Sequence, residues 1–408
     1  MAGRRASVET TKWNSEKGHL KKQPLKFAYY EHFIATPPMR HSRRGASLAN
    51  RILVILIIVT ITSVVLLWKS STNQEVVRKR IIVPHENIKI HRRGNLSFTQ
   101  ADRACIQDEW DGSSTARNTE VNNDTFRISF SNVQKNFRWL HQPKLAENAE
   151  ILMIVVSRCD NFARRNTLRQ TWMSAAKSRM VAEGRMKALF LVGMRPGHEK
   201  INRIVMEEAK MFGDVIVTDV VEDYLELPFK SLSLFLYALF KSPSTQLIGK
   251  IDEDVLFYPD QLYPLLERDI IRFNVSAVYG NLYSPGVRVN HSGGKWAVPK
   301  TSFKCTAYPA YLSGPIYFST RKAALRIVNA SKHRKLISVE DVLITGLLAG
   351  DVGVEKQHLP NIYSVESDTK DREKSQILAW HTKKKDSKYE KAFEEHRLTR
   401  CASCLKPF

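Results

Sequence analysis

The chain has 408 residues, 63 Lys and Arg against 41 Asp and Glu, and a formal net charge of +22. Its composition, 43% hydrophobic with 18 glycines and 16 prolines, suffices for a sizeable core and excludes collagen-like and low-complexity classes. Five cysteines are too few for a disulfide framework of this size. The basic excess forms no compact motif interleaved with aromatics, so nucleic acid is not an expected partner.

Residues 1–51 form a basic tail, with 11 Lys and Arg against 3 acids. Ile52 to Trp68 is the uncharged run ILVILIIVTITSVVLLW, bounded by Arg51 and Lys69. At ~1.5 Å per residue it reaches ~25 Å, the lower limit for a spanning helix. It lacks the polar stripe of a buried core helix and begins too far in for a cleaved leader. It is expected to be an uncleaved signal anchor, short enough to suit the thinner membranes of the early secretory pathway. Lys and Arg counts on its two flanks tie. However, five glycosylation sequons, at Asn95, Asn123, Asn274, Asn290 and Asn329, and all five cysteines follow the run. The expected topology is type II, with the tail in the cytosol and the rest in the lumen.

Residues 69–147 are polar and irregular and read as a stem whose end could pack onto the domain, with short strand-like pieces such as FRISF at 126–130. From Ala149 the texture changes. ILMIVVS (151–157), ALFLVG (188–193) and DVIVTDV (214–220) have the β-branched character of buried parallel strands. Helical stretches are expected at 162–184, at 196–212, and from Pro228 to Lys241. LIGKIDEDVLF (247–257) reads as a fourth strand ending in acids, before a helix start at Pro259. This alternation predicts an α/β sheet with helices on both faces. Ligands in such sheets bind beyond the carboxyl ends of the strands, where Asp252, Glu253 and Asp254 fall.

Three carboxylates at a strand end are costly unless something neutralises them. A hard divalent cation does so; a solvated acidic turn or a pairing with Lys250 does so as well. The residues alone leave these readings open.

A series of motifs narrows the choice. In order they are Arg165-Asn-Thr-Leu-Arg169-Gln-Thr171-Trp172, Phe190-Leu-Val-Gly193, Asp219-Val-Val-Glu-Asp223-Tyr224 with Lys230, and Lys250-Ile-Asp252-Glu-Asp254. Gly280-Asn281, Pro285 with Arg288, Lys295-Trp296, Tyr308-Pro309-Ala-Tyr311-Leu-Ser313-Gly314 and Glu340-Asp341-Val342 follow. Over about 150–385 the chain thereby resembles the β-1,3-galactosyltransferase family of inverting, UDP-sugar-dependent enzymes.

That resemblance implies a GT-A type fold, a Rossmann-like, mostly parallel sheet flanked by helices, here over 148–400 and preceded by one transmembrane helix. A short tail, 401–408, would follow. It implies Mn²⁺ or another divalent cation bound by Asp254, with Asp252 toward the ribose or a metal-bound water and His381 as a further ligand. Asp341 would be the base that takes the acceptor's proton, with Glu340 orienting the acceptor; as acids they would also cap the helix expected over 339–348. Arg165 and Arg169, one helical turn apart, would contact uridine or diphosphate, or stand as a solvated pair, and Lys230 and Lys250 would contact the donor or balance the acids. Trp296 and Tyr311 would offer a sugar platform or serve as packing, and Trp172 is expected in the core. The partners implied are a UDP-sugar and a glycan on glycoprotein or glycolipid, and the place is the Golgi membrane; association with a second copy stays open. The donor sugar expected is galactose, with N-acetylglucosamine and N-acetylgalactosamine as rivals, and a non-catalytic nucleotide- or glycan-binding relative as the other alternative.

Some positions depart from the family pattern. Glu226-Leu227-Pro228 replaces Asn-Leu-Thr, Leu312 stands where a Cys is common, Pro315 replaces a small residue, and Gly346 lies one residue further from Glu-Asp-Val than usual. Glu253 is expected to point away from its two neighbours. Cys401-Ala-Ser-Cys404 lacks a second ligand pair for zinc, so the cysteines are expected to pair structurally and leave an odd thiol.

Overall fold

The computed structural model describes residues 98–144, 149–363, 376–382 and 384–404. The basic tail, the run 52–68, Asn95 and residues 405–408 lie outside the described residues. Among the described residues no helix is long and apolar enough to cross a membrane.

Thirteen strands are described: β1 (Glu120–Asn122), β2 (Thr125–Ser129), β3 (Gln134–His141), β4 (Ile151–Ser157), β5 (Met186–Met194), β6 (Val215–Val221), β7 (Leu247–Asp252), β8 (Val255–Phe257), β9 (Ala277–Tyr283), β10 (Tyr311–Thr320), β11 (Glu355–His358), β12 (Ile362–Tyr363) and β13 (Ala379–His381). The helices that matter below are α1 (Gln100–Asp108), α2 (Phe162–Gln170), α3 (Glu199–Phe212), α4 (Leu227–Lys241), α5 (Arg321–Ala330) and α6 (Asp386–Thr399). Ten strands form one sheet in the order β1-β2-β3-β6-β5-β4-β7-β10-β9-β11, and β12-β13-β8 form a second. β6, β5, β4 and β7 run parallel, whereas β3 and β10 flank them antiparallel. From β4 the chain winds one way through β5 and β6, then crosses to β7 on the other side of β4. The switch point, where such sheets take ligands, therefore lies between Ser157 and Asp252.

Strand periodicity divides the core into two layers. Ile151, Met153 and Val155 of β4 face Leu168, Trp172, Val205 and Ala209, whereas Leu152 and Ile154 face the other layer, with Phe229, Leu232, Leu236 and Ile327. Trp172 is fully buried, as expected; truncating so large a core side chain to alanine costs roughly 3–5 kcal/mol.

Three sequence-level expectations change. The sheet starts before residue 148: β2 is the strand-like FRISF piece, and Trp139 of β3 pairs with Thr218 of β6, so 120–141 belong to the domain and not to a stem. The helix expected over 162–184 ends at Gln170, where the Thr171 hydroxyl donates to the carbonyl of Thr167 and the chain turns Trp172 inward. The run 247–257 is two strands in two sheets, with the acids on the turn between them.

Cys105–Cys305 and Cys401–Cys404 are disulfides, and Cys159 is a buried free thiol. The first bridge fastens α1 to the domain, where the Arg334 guanidinium also donates to the Ile106 carbonyl at 2.7 Å.

Candidate active site

The β7–β8 turn carries the acid triplet. The Lys250 ammonium, almost wholly buried, donates to Asp252 Oδ1 and to the Gly314 carbonyl, both at 2.6 Å, and lies 3.8 Å from Glu340 Oε2. Burial alone would push this ammonium down, but Asp252 and Glu340 outweigh it and hold it above the ordinary lysine value. Lys250 is thus the counter-ion of the cluster.

Glu253 points away from its neighbours, as expected. Its carboxylate accepts from Ser157 Oγ and Asn161 Nδ2, both at 2.6 Å, and so ties the turn to the end of β4. Asp254 faces His381, with Oδ2 3.2 Å from Nε2. The two are 127 residues apart and are brought together because β13 pairs with β8, His381 opposite Val255. Burial pushes the Asp252 carboxyl up, reinforced by the Asp254 charge. Burial also opposes ionisation of Asp254, but the imidazole outweighs it and holds that carboxyl down. The side chains of Asp252, Asp254 and His381 are 32%, 44% and 30% exposed, so each keeps an open face. Among the described residues no three His, Cys, Asp or Glu side chains converge closely enough to cage an ion.

Across the same cleft, Asp341 accepts N–H groups from Gly314 and Val342, each at 2.9 Å. Glu340, buried beside it, accepts from the Tyr317 hydroxyl at 2.6 Å. Burial pushes the Asp341 carboxyl up to about 7, with the neighbouring Glu340 adding to it. The helix it opens is not an α-helix: Val342–Leu348 is a π-helical turn. A π turn holds an extra residue, which accounts for the wider spacing between Glu-Asp-Val and Gly346. Gly346 itself has no room for a side chain, because a Cβ there would meet Tyr311 Cβ at 3.0 Å.

Beside the triplet, at the carboxyl ends of β4 and β6, is a cavity of about 420 Å³ lined by Arg158, Asp160, Arg195, Glu222, Tyr224 and Lys230, among others. Lys230 donates to the Ser157 carbonyl at 2.8 Å and pairs with Glu222. Glu222 also accepts the Gly193 N–H at 2.9 Å and the Cys159 N–H at 3.1 Å. Tyr224 lines this cavity, and its hydroxyl is pushed up to about 12, by burial first and then by the charges of Asp341 and Glu340. Trp296 is 60% exposed, next to Lys295, whose ammonium lies over the Tyr224 ring at 4.5 Å. Tyr311 is stacked on Tyr283 with centroids 5.2 Å apart, so one ring face is already covered.

Arg165 and Arg169 require a correction. Arg165 is 0% exposed, paired with Glu208 at 2.7 Å and donating to Ser157 Oγ at 2.9 Å. Arg169 pairs with Glu208 at 2.9 Å and Asp214 at 2.8 Å. Neither guanidinium has an open face toward the cleft; they position the end of β4. Arg164, which sequence reasoning passed over, does the comparable work at the acid turn. It donates to the Glu253 carbonyl at 3.3 Å, to the Lys384 carbonyl at 2.7 Å and to Asp386 at 2.6 Å, joining the triplet to the segment after His381. Only the Arg164-Arg165 doublet could have signalled it. Glu222 was likewise missed. Of the sequons, Asn123, Asn274, Asn290 and Asn329 are exposed.

Residues 163–360 match the Galactosyltransferase family model. The chain is 53% identical over 372 residues to beta-1,3-galactosyltransferase bre-2 of Caenorhabditis elegans, a match covering 90% of this chain and 97% of that protein. It is 26% identical over 242 residues to lactosylceramide 1,3-N-acetyl-beta-D-glucosaminyltransferase of Mus musculus, covering 58% of this chain and 64% of that protein. Human beta-1,3-galactosyltransferase 5 is 27% identical over 196 residues, covering 48% and 61%. A switch-point cleft lined with carboxylates, taken with these matches, makes the protein a glycosyltransferase. The chain belongs to the β-1,3-galactosyltransferase family.

Proposed function

We propose that the chain is a GT-A type inverting enzyme that moves galactose from UDP-galactose to a 3-hydroxyl of an acceptor glycan, forming a β-1,3 link. The observation that carries this reading is Asp341: a half-buried carboxyl held by two backbone N–H groups across the cleft from the acid turn, and pushed up to about 7 by desolvation. A carboxyl raised toward neutral pH is matched to accepting a proton as the hydroxyl attacks. The Gly314 and Val342 N–H groups fix its orientation, and Glu340, held by Tyr317, is suited to orienting the acceptor. The anomeric carbon is attacked from the face opposite the leaving UDP, so one displacement inverts it.

The cavity beside Glu222 and Lys230 has the size for a nucleoside, with Arg195 and Asp160 as polar contacts. Asp254 and His381 would hold Mn²⁺, with Asp252 toward the ribose. Carboxylate oxygen and neutral imidazole suit that ion, and their exposed faces leave it accessible. When bound, the cation supplies positive charge against the diphosphate leaving group. Lys250 meanwhile keeps Asp252 and Glu340 from repelling one another.

Galactose is favoured by the identity to the nematode protein, and N-acetylglucosamine is the rival supported by the more distant relatives. We place the enzyme in the Golgi membrane as a type II protein anchored by 52–68, with glycans on the exposed sequons. The test is UDP release by the full chain in detergent, with UDP-galactose, UDP-N-acetylglucosamine or UDP-N-acetylgalactosamine, Mn²⁺, and a panel of glycoside acceptors. EDTA-sensitive turnover of UDP-galactose that is lost in Asp341→Asn supports the proposal. Turnover of another donor alone reassigns the sugar, and failure to bind UDP with Mn²⁺ sinks it.

A further inference from the structure

Four cations line the cavity beside Glu222: Arg158, Arg195, Lys230 and Lys295. Three of them are neutralised. Arg158 and Arg195 share Asp160, at 2.8 and 3.6 Å, and Lys230 is paired with Glu222. Lys295 has no carboxylate partner among the described residues. Its ammonium rests over the Tyr224 ring and lies 5.8 Å from the centre of the Trp296 ring. Aromatic faces steady a cation without cancelling its charge, so Lys295 is the one that keeps a full charge for an anionic ligand.

Lys295 is carried by the loop 290–298, which contains no helix or strand. The loop turns at Gly293 and Gly294, whose φ values of 139° and 90° suit glycine alone. Its base is closed by the Val298 N–H, which donates to the Asn290 carbonyl at 2.8 Å. Beneath it, the Tyr308 N–H donates to the Val287 carbonyl at 2.8 Å and the Val289 N–H to the Thr306 carbonyl at 3.0 Å.

His291 joins the loop to that base. Its Nδ1 lies 2.7 Å from the Val298 carbonyl and its Nε2 3.1 Å from the Cys305 carbonyl. One ring therefore spans from the far side of the loop to the segment fastened by the Cys105–Cys305 bridge. Either tautomer donates to one of these oxygens, and the doubly protonated ring donates to both. Val298 is fully buried, so the ring pins the loop to the core. Without this tie a segment lacking regular structure gains conformational freedom, and the cation it carries loses its place. His291 falls in none of the motifs of the sequence, and its role is visible only in the fold.

We propose that His291 is a positioning residue for the donor: it clasps the loop 290–298 so that Lys295 presents its charge to the anionic nucleotide-sugar. The proposal rests on the transferase reading, because it takes this cavity as the place where the donor binds.

The experiment is calorimetric titration of the full chain in detergent with UDP at saturating Mn²⁺. Lys295→Met should weaken UDP binding about tenfold, the scale of a charge-assisted hydrogen bond. His291→Phe, which keeps a ring and leaves the Asn290 sequon intact, should weaken it roughly three- to tenfold. In turnover of UDP-galactose its donor KM should rise by that factor, while kcat at saturating donor falls less than about threefold. The decisive comparison is the double variant, which should bind UDP no more weakly than Lys295→Met alone, because the histidine acts through the lysine. A histidine that merely supports the fold would instead add its own loss. If His291→Phe does not fold, His291→Gln, which keeps one amide donor, takes its place in the same comparison. Losses that multiply in the double variant, or undiminished UDP affinity in Lys295→Met or in the folded histidine variant, overturn the proposal. Failure of the unsubstituted chain to bind UDP with Mn²⁺ sinks the transferase reading itself, and it is seen before any variant is made.

Discussion

The Gly314 N–H donates to Asp341 Oδ2 at 2.9 Å, and a Cβ on Gly314 would stand 3.1 Å from that same oxygen. The glycine is therefore the space in which the candidate base sits. Its carbonyl takes the Lys250 ammonium, so one residue's two backbone groups link the base to the acid cluster's counter-ion. Gly314→Ala should displace the carboxylate and lower kcat by roughly 10- to 100-fold, the scale of a misplaced catalytic group. Donor affinity should change little, as separate kcat and KM measurements would show.

The Asp341 proton has two consequences with a defined sign. Its folded value of about 7 lies above the ordinary 3.8. Between those values the unfolded chain has released the proton while the folded chain keeps it, so this group's contribution to stability falls as pH rises from about 4 to 7. The melting temperature of Asp341→Asn, relative to the parent, should shift in the variant's favour between pH 4 and pH 8. The rate runs the other way: kcat should climb with pH along a limb centred near 7. Asp341→Asn should lose that limb and about 10²- to 10⁴-fold in kcat. An unchanged acid limb in the variant would remove Asp341 from the role of base.

Glu208 holds two guanidiniums, Arg165 buried and Arg169 partly buried. Removing its carboxylate in Glu208→Ala strands Arg165 with no acidic partner, and breaking such a buried pair costs about 3–5 kcal/mol. Thermal denaturation should register a drop of several degrees, while whatever folded enzyme remains keeps its donor KM. A raised donor KM without loss of stability would instead return the arginines to the donor.

Divalent ion dependence should divide unequally between the two partners across the β8–β13 pair. Asp254→Ala should abolish Mn²⁺-dependent UDP binding. His381→Ala should raise the Mn²⁺ concentration needed by roughly 10- to 100-fold and be rescued by excess ion, the scale reported by altered coordination. Calorimetry of UDP binding at graded Mn²⁺ separates these outcomes.

The parallel core was legible because β4, β5 and β6 are short continuous apolar runs, and the cleft was legible because acids end the next strand. The edge strands were not. β1 to β3 alternate polar and apolar residues within a polar stretch, as a strand with one wet face must, and such a pattern reads as irregular until its partner is known. The Arg165-Arg169 spacing correctly placed both side chains on one helical face, but a sequence does not say which face meets protein. Their partner, Glu208, follows Glu207 on an amphipathic helix whose acids look solvated. The odd spacing of Gly346 was visible as a departure, yet only the backbone revealed its cause in the π turn. Trp172 was assigned correctly because a large apolar residue at the close of an amphipathic segment has little choice but to turn inward.

The Cys105–Cys305 bridge joins residues 200 positions apart. During synthesis the first cysteine is made long before the second exists, and β1 to β9 with the helices between them must all be made in the interval. The bridge can close only afterwards, so the earliest described segment stays covalently unsecured until residue 305 has been made. A chain arrested before residue 305 would carry a loose leading arm and an unpaired thiol, a natural handle by which quality control could tell unfinished molecules from finished ones.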